Sequence, residues 1–191
     1  MLPSSKVFHH IRMACVATAA ITTIFAAQTF GQSSAQQVSA KAEEPESFEK
    51  KIEFLEVYCF DEVNRQRKER GLEPLLFSER LLDVARNYSR RMAEEGFFSH
   101  TDPQGKTASD RVHEAKLTWK AMGENLLNIK GFINPVPPAV EQWMKSEAHS
   151  RNILDPDYQY SAVGVWTAPD GMVYFTQLFL GNVPPKPPKK K

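Results

Sequence analysis

The sequence predicts an α+β fold: a three-layer α-β-α sandwich around a small, mainly antiparallel sheet. Three observations carry that expectation. Apolar residues recur at helical spacing through the first part of the body. The last third changes to β-branched and aromatic runs joined by Ala168-Pro169-Asp170-Gly171, a hairpin signal. The resulting order of helix, helix, strand, helix and hairpin suits one sheet covered by helices. With 191 residues, 41% apolar and 25% charged, the chain has enough material for one ordinary core plus extensions. That composition excludes a disordered chain, a coiled coil, a collagen-like fibre and a polytopic membrane protein.

Residues 1–31 read as an export signal. Lys6, His9, His10 and Arg12 form a basic start, and Ala14 to Ala27 is an uncharged apolar run followed by small residues. The run is short beside the ~20 apolar residues of a membrane span, so a cleaved signal is the first reading and a retained anchor the second. Either places the body outside the cytoplasm. Residues 32–47 form a polar linker.

From Phe48 the spacing of Ile52, Leu55, Cys59 and Val63 predicts an amphipathic helix ending at Gly71. Its charge run of Arg65, Arg67, Lys68 and Arg70 among Glu62 and Glu69 is read as a solvated face. Pro74 breaks the chain, and Ser78 is the expected N-cap of a second helix. Leu81, Leu82, Ala85, Tyr88 and Met92 form its buried stripe, and Gly96 ends it. A short helix is expected over Ser109 to Ala115, and a strand from Glu124 through Leu126 to Ile129. The stiff Asn134-Pro135-Val136-Pro137-Pro138 loop precedes a third long helix over Pro138 to Ala148, with Val140, Trp143 and Met144 inward. Tyr160 to Thr167 and Val173 to Leu180 are the hairpin strands, which completes a domain over residues 48–182. Residues 183–191 are a disordered tail rich in proline and lysine.

Charge narrows the function classes. The N-terminal segment and the tail carry basic groups, which leaves 18 basic against 23 acidic groups between them. A body of negative sign is a poor binder of nucleic acid, because counterion release needs a basic face. The tail could make a weak contact with an anionic lipid or wall surface. Once a signal is removed Cys59 is the remaining cysteine, so packing rather than a disulfide holds the domain, and Cys59 is expected to be a small buried hydrophobe.

Familiar catalytic signatures are missing: no G-x-S-x-G, no C-x-x-C, no Walker loop and no dinucleotide fingerprint. His113-Glu114 opens an H-E-x-x-H pattern, but Leu117 stands where the second histidine belongs, so His113 is a surface residue. Two other histidines stand in more particular settings. His100 follows Gly96-Phe97-Phe98-Ser99 just past a helix end, and His149 lies at or just past the end of the third long helix. Glu124 sits between Gly123 and a buried strand, as a hydrogen-bond hub or a site residue.

Five segments together resemble the CAP superfamily of cysteine-rich secretory, antigen 5 and pathogenesis-related proteins, in its small bacterial form. They are Asn64-x5-Gly71-Leu72-x-Pro74-Leu75; Ser99-His100; Gly123-Glu124-Asn125-Leu126; Trp143-Met144-x-Ser146-x-x-His149-x-x-Asn152-Ile153-Leu154; and Val163-Gly164-Val165 followed by Tyr174-x-Thr176-Gln177-x-Phe179. The resemblance implies an α-β-α sandwich with a cleft of two histidines and two acids able to hold a divalent metal. The matching positions are His100, Glu124 and His149. Ser146 stands where the second acid would be; at i−3 from His149 it shares that residue's helix face, whereas Glu147 does not.

Two imidazoles and a carboxylate form a three-ligand set for zinc or a similar ion. The same side chains could instead be a structural polar network or, less simply, a catalytic centre. The expectation is therefore an exported, monomeric CAP-domain binding module. Its metal ligands would be His100, Glu124 and His149, with Asn125 and Ser146 in the cleft. An extracellular small molecule, lipid or cell-surface polymer would be its ligand, and a metal-dependent hydrolase using His100, His149 and Glu124 is the alternative. Trp143 is expected in the core, Trp166 in the core or a cleft wall, and Asp155, Asp157 and Asp170 in turns.

Overall fold

The structure, a computed structural model, describes residues 45–181. The proposed signal, most of the linker and the lysine tail lie outside those residues. The linker as expected runs three residues too far, because helix α1 spans Pro45–Lys68. The other elements are β1 (Leu76–Phe77), α2 (Glu79–Glu95), α3 (Ala108–Glu114), β2 (Ala121–Ile129), α4 (Val136–Lys145), α5 (Glu147–Leu154), β3 (Tyr158–Thr167) and β4 (Val173–Gly181).

The four strands are ordered β1-β3-β4-β2; β1 runs parallel to β3, and β4 is antiparallel to both its neighbours. Helices α1, α4 and α5 cover one face, where Ile52, Val63, Trp143, Ile153, Phe175 and Phe179 share a core. Helices α2 and α3 cover the other, with Leu81, Ala85, Val112, Ala162, Leu178 and Leu180 buried there. The predicted sandwich is thus the observed one. Its hairpin closes as expected: the N–H of Gly171 donates to the Ala168 carbonyl at 2.9 Å, and Gly171 has φ +86°. Asp170 and Asp155 serve turns, each accepting from a backbone N–H two residues on.

The layers are held together by more than apolar packing. Gly164 lets α2 lie directly on β3, since a Cβ there would stand 2.0 Å from the Arg86 backbone nitrogen. Glu56 of α1 is buried and accepts from the Val165 N–H at 3.1 Å and Arg86 Nε at 2.7 Å, linking α1, β3 and α2. Burial raises the Glu56 carboxyl above the usual range, against the opposing bond from Arg86.

Three expectations are corrected. Arg67 does not belong to the solvated face: it is 2% exposed, and its guanidinium donates to the carbonyls of Glu73, Ile153 and Asp155 at 2.7–2.9 Å. The third long helix is two helices. Ser146 takes an extended backbone (φ −87°, ψ 122°), ending α4 and opening α5. Strand β2 begins at Ala121, three residues before Glu124. The two-residue strand β1 has no periodicity to reveal it in sequence.

Candidate functional site

Strand β2 is a sheet edge, and the site straddles it. Alternation sends Met122, Glu124 and Leu126 toward α2 and α3, and Asn125, Leu127 and Ile129 toward α4 and α5. Glu124 therefore meets the loop after α2, which carries His100. His100 Nδ1 lies 2.8 Å from Glu124 Oε1. A carboxylate oxygen accepts only, so Nδ1 carries the proton and Nε2 is the nitrogen left to solvent. The His100 side chain is 62% exposed, whereas that of Glu124 is 4% exposed.

The loop is fixed before it reaches His100. Asp102 is buried; its Oδ1 accepts from the N–H groups of Gln104 and Lys106, and its Oδ2 from Arg91 at 2.7 Å. Tyr88 of α2 donates its hydroxyl to the Ser99 carbonyl at 2.6 Å. Thr107 and Asp110 then form a reciprocal capping box that starts α3.

Helix α3 delivers a residue that the family pattern does not announce. Arg111, 8% exposed, donates from Nη2 to Glu124 Oε2 at 2.5 Å. Nη1 donates to the carbonyls of His100 and Lys106, and the guanidinium lies 3.3 Å from the Tyr88 ring centroid. Its Nε is buried without an acceptor among the described residues. A signal for Arg111 exists in the sequence: Ala108, Arg111 and Val112 share one helical face, so a cation falls on a buried stripe.

His149 arrives from the opposite layer, on the first turn of α5. Asn125 donates to its backbone carbonyl at 3.1 Å, and Asn152 donates to Asn125 Oδ1 at 2.9 Å and the Glu124 carbonyl at 3.3 Å. The two imidazoles are close enough to interact. Burial, and then the charge of His100, lower His149 below its ordinary value of 6.5. The bond to Glu124 raises His100 above the same value.

The expected site is therefore only partly the observed one. His100, Glu124 and His149 do gather at one place, but Glu124 bridges His100 to Arg111, not to His149. Asn125 is not a cleft residue: it is fully buried and positions α5. Ser146 is the joint between α4 and α5, so the shared-face argument with His149 lapses. Glu124 is not placed as a direct zinc ligand in this arrangement. Both Glu124 oxygens are committed to protein donors, and among the described residues no three His, Cys, Asp or Glu side chains are placed to hold an ion. His113 is exposed, as expected. Trp143 is core, donating to the Leu126 carbonyl at 3.3 Å. Trp166 packs edge-on against Phe48 at 5.1 Å, away from the site.

Beside His100 and Glu124 a groove of about 360 Å³ is lined by Thr101, Thr107, Ser109, Trp119, Met122 and Gly123. The profile of the cysteine-rich secretory protein family, CAP, matches residues 60–179. The chain belongs to the CAP family. Among curated CAP relatives, the uncharacterized protein YkwD of Bacillus subtilis (strain 168) is 32% identical over 71% of this chain and 48% of its own length. The uncharacterized membrane protein YlbC of the same strain is 30% identical over 75% of this chain and 39% of its own. The chain thus spans half or less of these relatives. An SCP-domain extracellular protein of Bacillus anthracis str. Ames superposes with a TM-score of 0.64 at 26% identity, covering 72% of this chain and 44% of that one. An outer surface protein of Borrelia burgdorferi shares the CAP fold with a TM-score of 0.58 at 22% identity, over 64% and 88% of the two chains.

Proposed function

We propose that this CAP domain is a binding module working outside the cytoplasm, with the groove at His100 and Glu124, close to His149, as its recognition site. One observation carries the reading: His100 exposes its ring in the groove although its other nitrogen is anchored on buried Glu124, and His149 of the opposite layer lies near enough to sense its charge. A purely structural network would gain nothing from a 62% exposed imidazole. The basic, apolar start of the sequence supports the location, as does the extracellular Bacillus anthracis relative.

A second reading, hydrolysis, draws on the carboxylate–imidazole pair of Glu124 and His100, which is how a general base is oriented. Among the described residues, however, the His100 ring bonds Glu124 alone, and no hydroxyl of the groove is hydrogen-bonded to it as an activated nucleophile would be. The binding reading is therefore preferred.

The test is an NMR titration of the protein with zinc chloride, palmitate, a tripeptide and neutral trisaccharides, following the histidine ring signals. At least one probe is expected to shift His100 and His149 together without turnover. Binding that moves only signals elsewhere, or turnover abolished by His100→Ala, would replace this reading with a remote site or with an enzyme.

A further inference from the structure

The groove also states what kind of molecule it suits. We propose that it binds a neutral sugar ring, stacked on Trp119 and read by hydroxyl and imidazole groups; this rests on the reading of the groove as the recognition site.

Trp119 is partly buried in the groove wall, backed by the core that includes Ala108 and Val112. Its indole N–H donates to no acceptor among the described residues, so the side chain offers a flat apolar face and one spare donor together. A pyranose presents the complement: an apolar face of C–H bonds and an equatorial ring of hydroxyls. Around the indole, Thr101 and Ser109 are exposed and their hydroxyls have no partner among the described residues, whereas Thr107 is committed to its capping box with Asp110. Because Nδ1 of His100 faces Glu124, Nε2 of the neutral ring is an acceptor for a sugar hydroxyl.

Charge argues for a neutral ligand. The single carboxylate of the groove, Glu124, is already balanced by the buried Arg111. None of the described lining residues is lysine or arginine, so only the His100 ring, when protonated, offers a cation to a phosphate or carboxylate, and that charge faces Glu124. A fatty chain is a poorer fit, because the apolar lining is limited to Trp119, Met122 and Ala108. Binding without cleavage follows from the same inventory: glycoside hydrolysis needs a pair of carboxylic groups flanking the bond, and this groove has one.

The experiment titrates the whole protein with chitotriose, cellotriose and maltotriose, with palmitate and inorganic phosphate as separate arms. The indole N–H signal of Trp119, assigned from the Trp119→Phe variant, is followed with the His100 ring signals. At least one trisaccharide is expected to shift both signals, and the sugar should be recovered uncut. Trp119→Ala should weaken binding about tenfold, the worth of one aromatic contact, while Trp119→Phe stays within about threefold of wild type. Both variants are checked for an unchanged unfolding midpoint, and Ser109→Ala, exposed and outside the core, gives a second reading of weakened binding. The inference is overturned if no trisaccharide moves the Trp119 signal, if Trp119→Ala binds as well as wild type, or if only palmitate or phosphate binds. In those cases a His100 and His149 response to another probe leaves the recognition groove standing, and silence of both rings removes it as well.

Discussion

Glu124 has two cationic neighbours for one charge, and they are not equivalent. Arg111 is buried with it, and although the carbonyls of His100 and Lys106 and the Tyr88 ring also meet its guanidinium, Glu124 supplies its counter-charge. Glu124→Gln keeps the shape and removes the charge, which leaves a buried guanidinium without a counter-ion. The expected loss is about 3–5 kcal/mol of unfolding free energy in urea. A loss below about 1 kcal/mol would mean that solvent reaches Arg111 freely. The same substitution takes the charge out of the bond that raises His100, so the His100 midpoint should fall. His149 answers the opposite way: His100→Ala deletes the like charge that helps to lower it, so its midpoint should rise. NMR titration of both rings checks the pair, and an unmoved His149 would show that the imidazoles do not sense one another.

At the scale of elements, the local signals were read well where chemistry and position coincide. Ser78, Gly96 and Gly71 end or begin helices because their own groups cap backbone or take positive φ, which depends on neighbours in sequence. Arg67 and Ser146 depend instead on what arrives from elsewhere. Arg67 sits in a run of arginines and looks solvated, yet the C-terminal end of α5 brings two carbonyls, of Ile153 and Asp155, to its fork. Ser146 looks like mid-helix sequence, but α5 must turn to lie along the free edge of β2, where Asn152 and Asn125 hold it. The histidines and Glu124 are legible through the family pattern, and Arg111 through its place on the buried stripe of α3; Trp119 and the break at Ser146 are not, because pairing across layers leaves no local period. Arg67→Met should separate the two kinds of residue. It keeps the apolar stem and leaves the carbonyls without their donor, so a loss of about 3 kcal/mol is expected, whereas Arg65→Met on the exposed face should cost under about 1 kcal/mol.

On the scale of the whole molecule, the two layers that meet at β2 also tie folding to pH. His100 has its folded value raised, so folded protein holds more proton than unfolded chain between 6.5 and that raised value. Its contribution is complete below 6.5 and is lost as pH rises through the folded value. His149 has its folded value lowered, so the unfolded chain holds more proton between the lowered value and 6.5. Its contribution is complete above 6.5 and is lost as pH falls through the folded value. The two slopes have opposite signs and meet near the ordinary imidazole value. Stability should therefore pass through a shallow maximum near pH 6.5. Carboxyls held low by their partners, such as Asp102 by its bond from Arg91, weaken the fold only at more acid pH. Urea unfolding at intervals between about pH 5 and 8 reads the curve. His100→Ala should remove the alkaline slope and, by relieving His149 of a like charge, reduce the acid slope in part, whereas His149→Ala should flatten the acid side. A wild-type curve without curvature in this window, or an alkaline slope that survives His100→Ala, would show that the rings from the two layers do not occupy the separate environments drawn here.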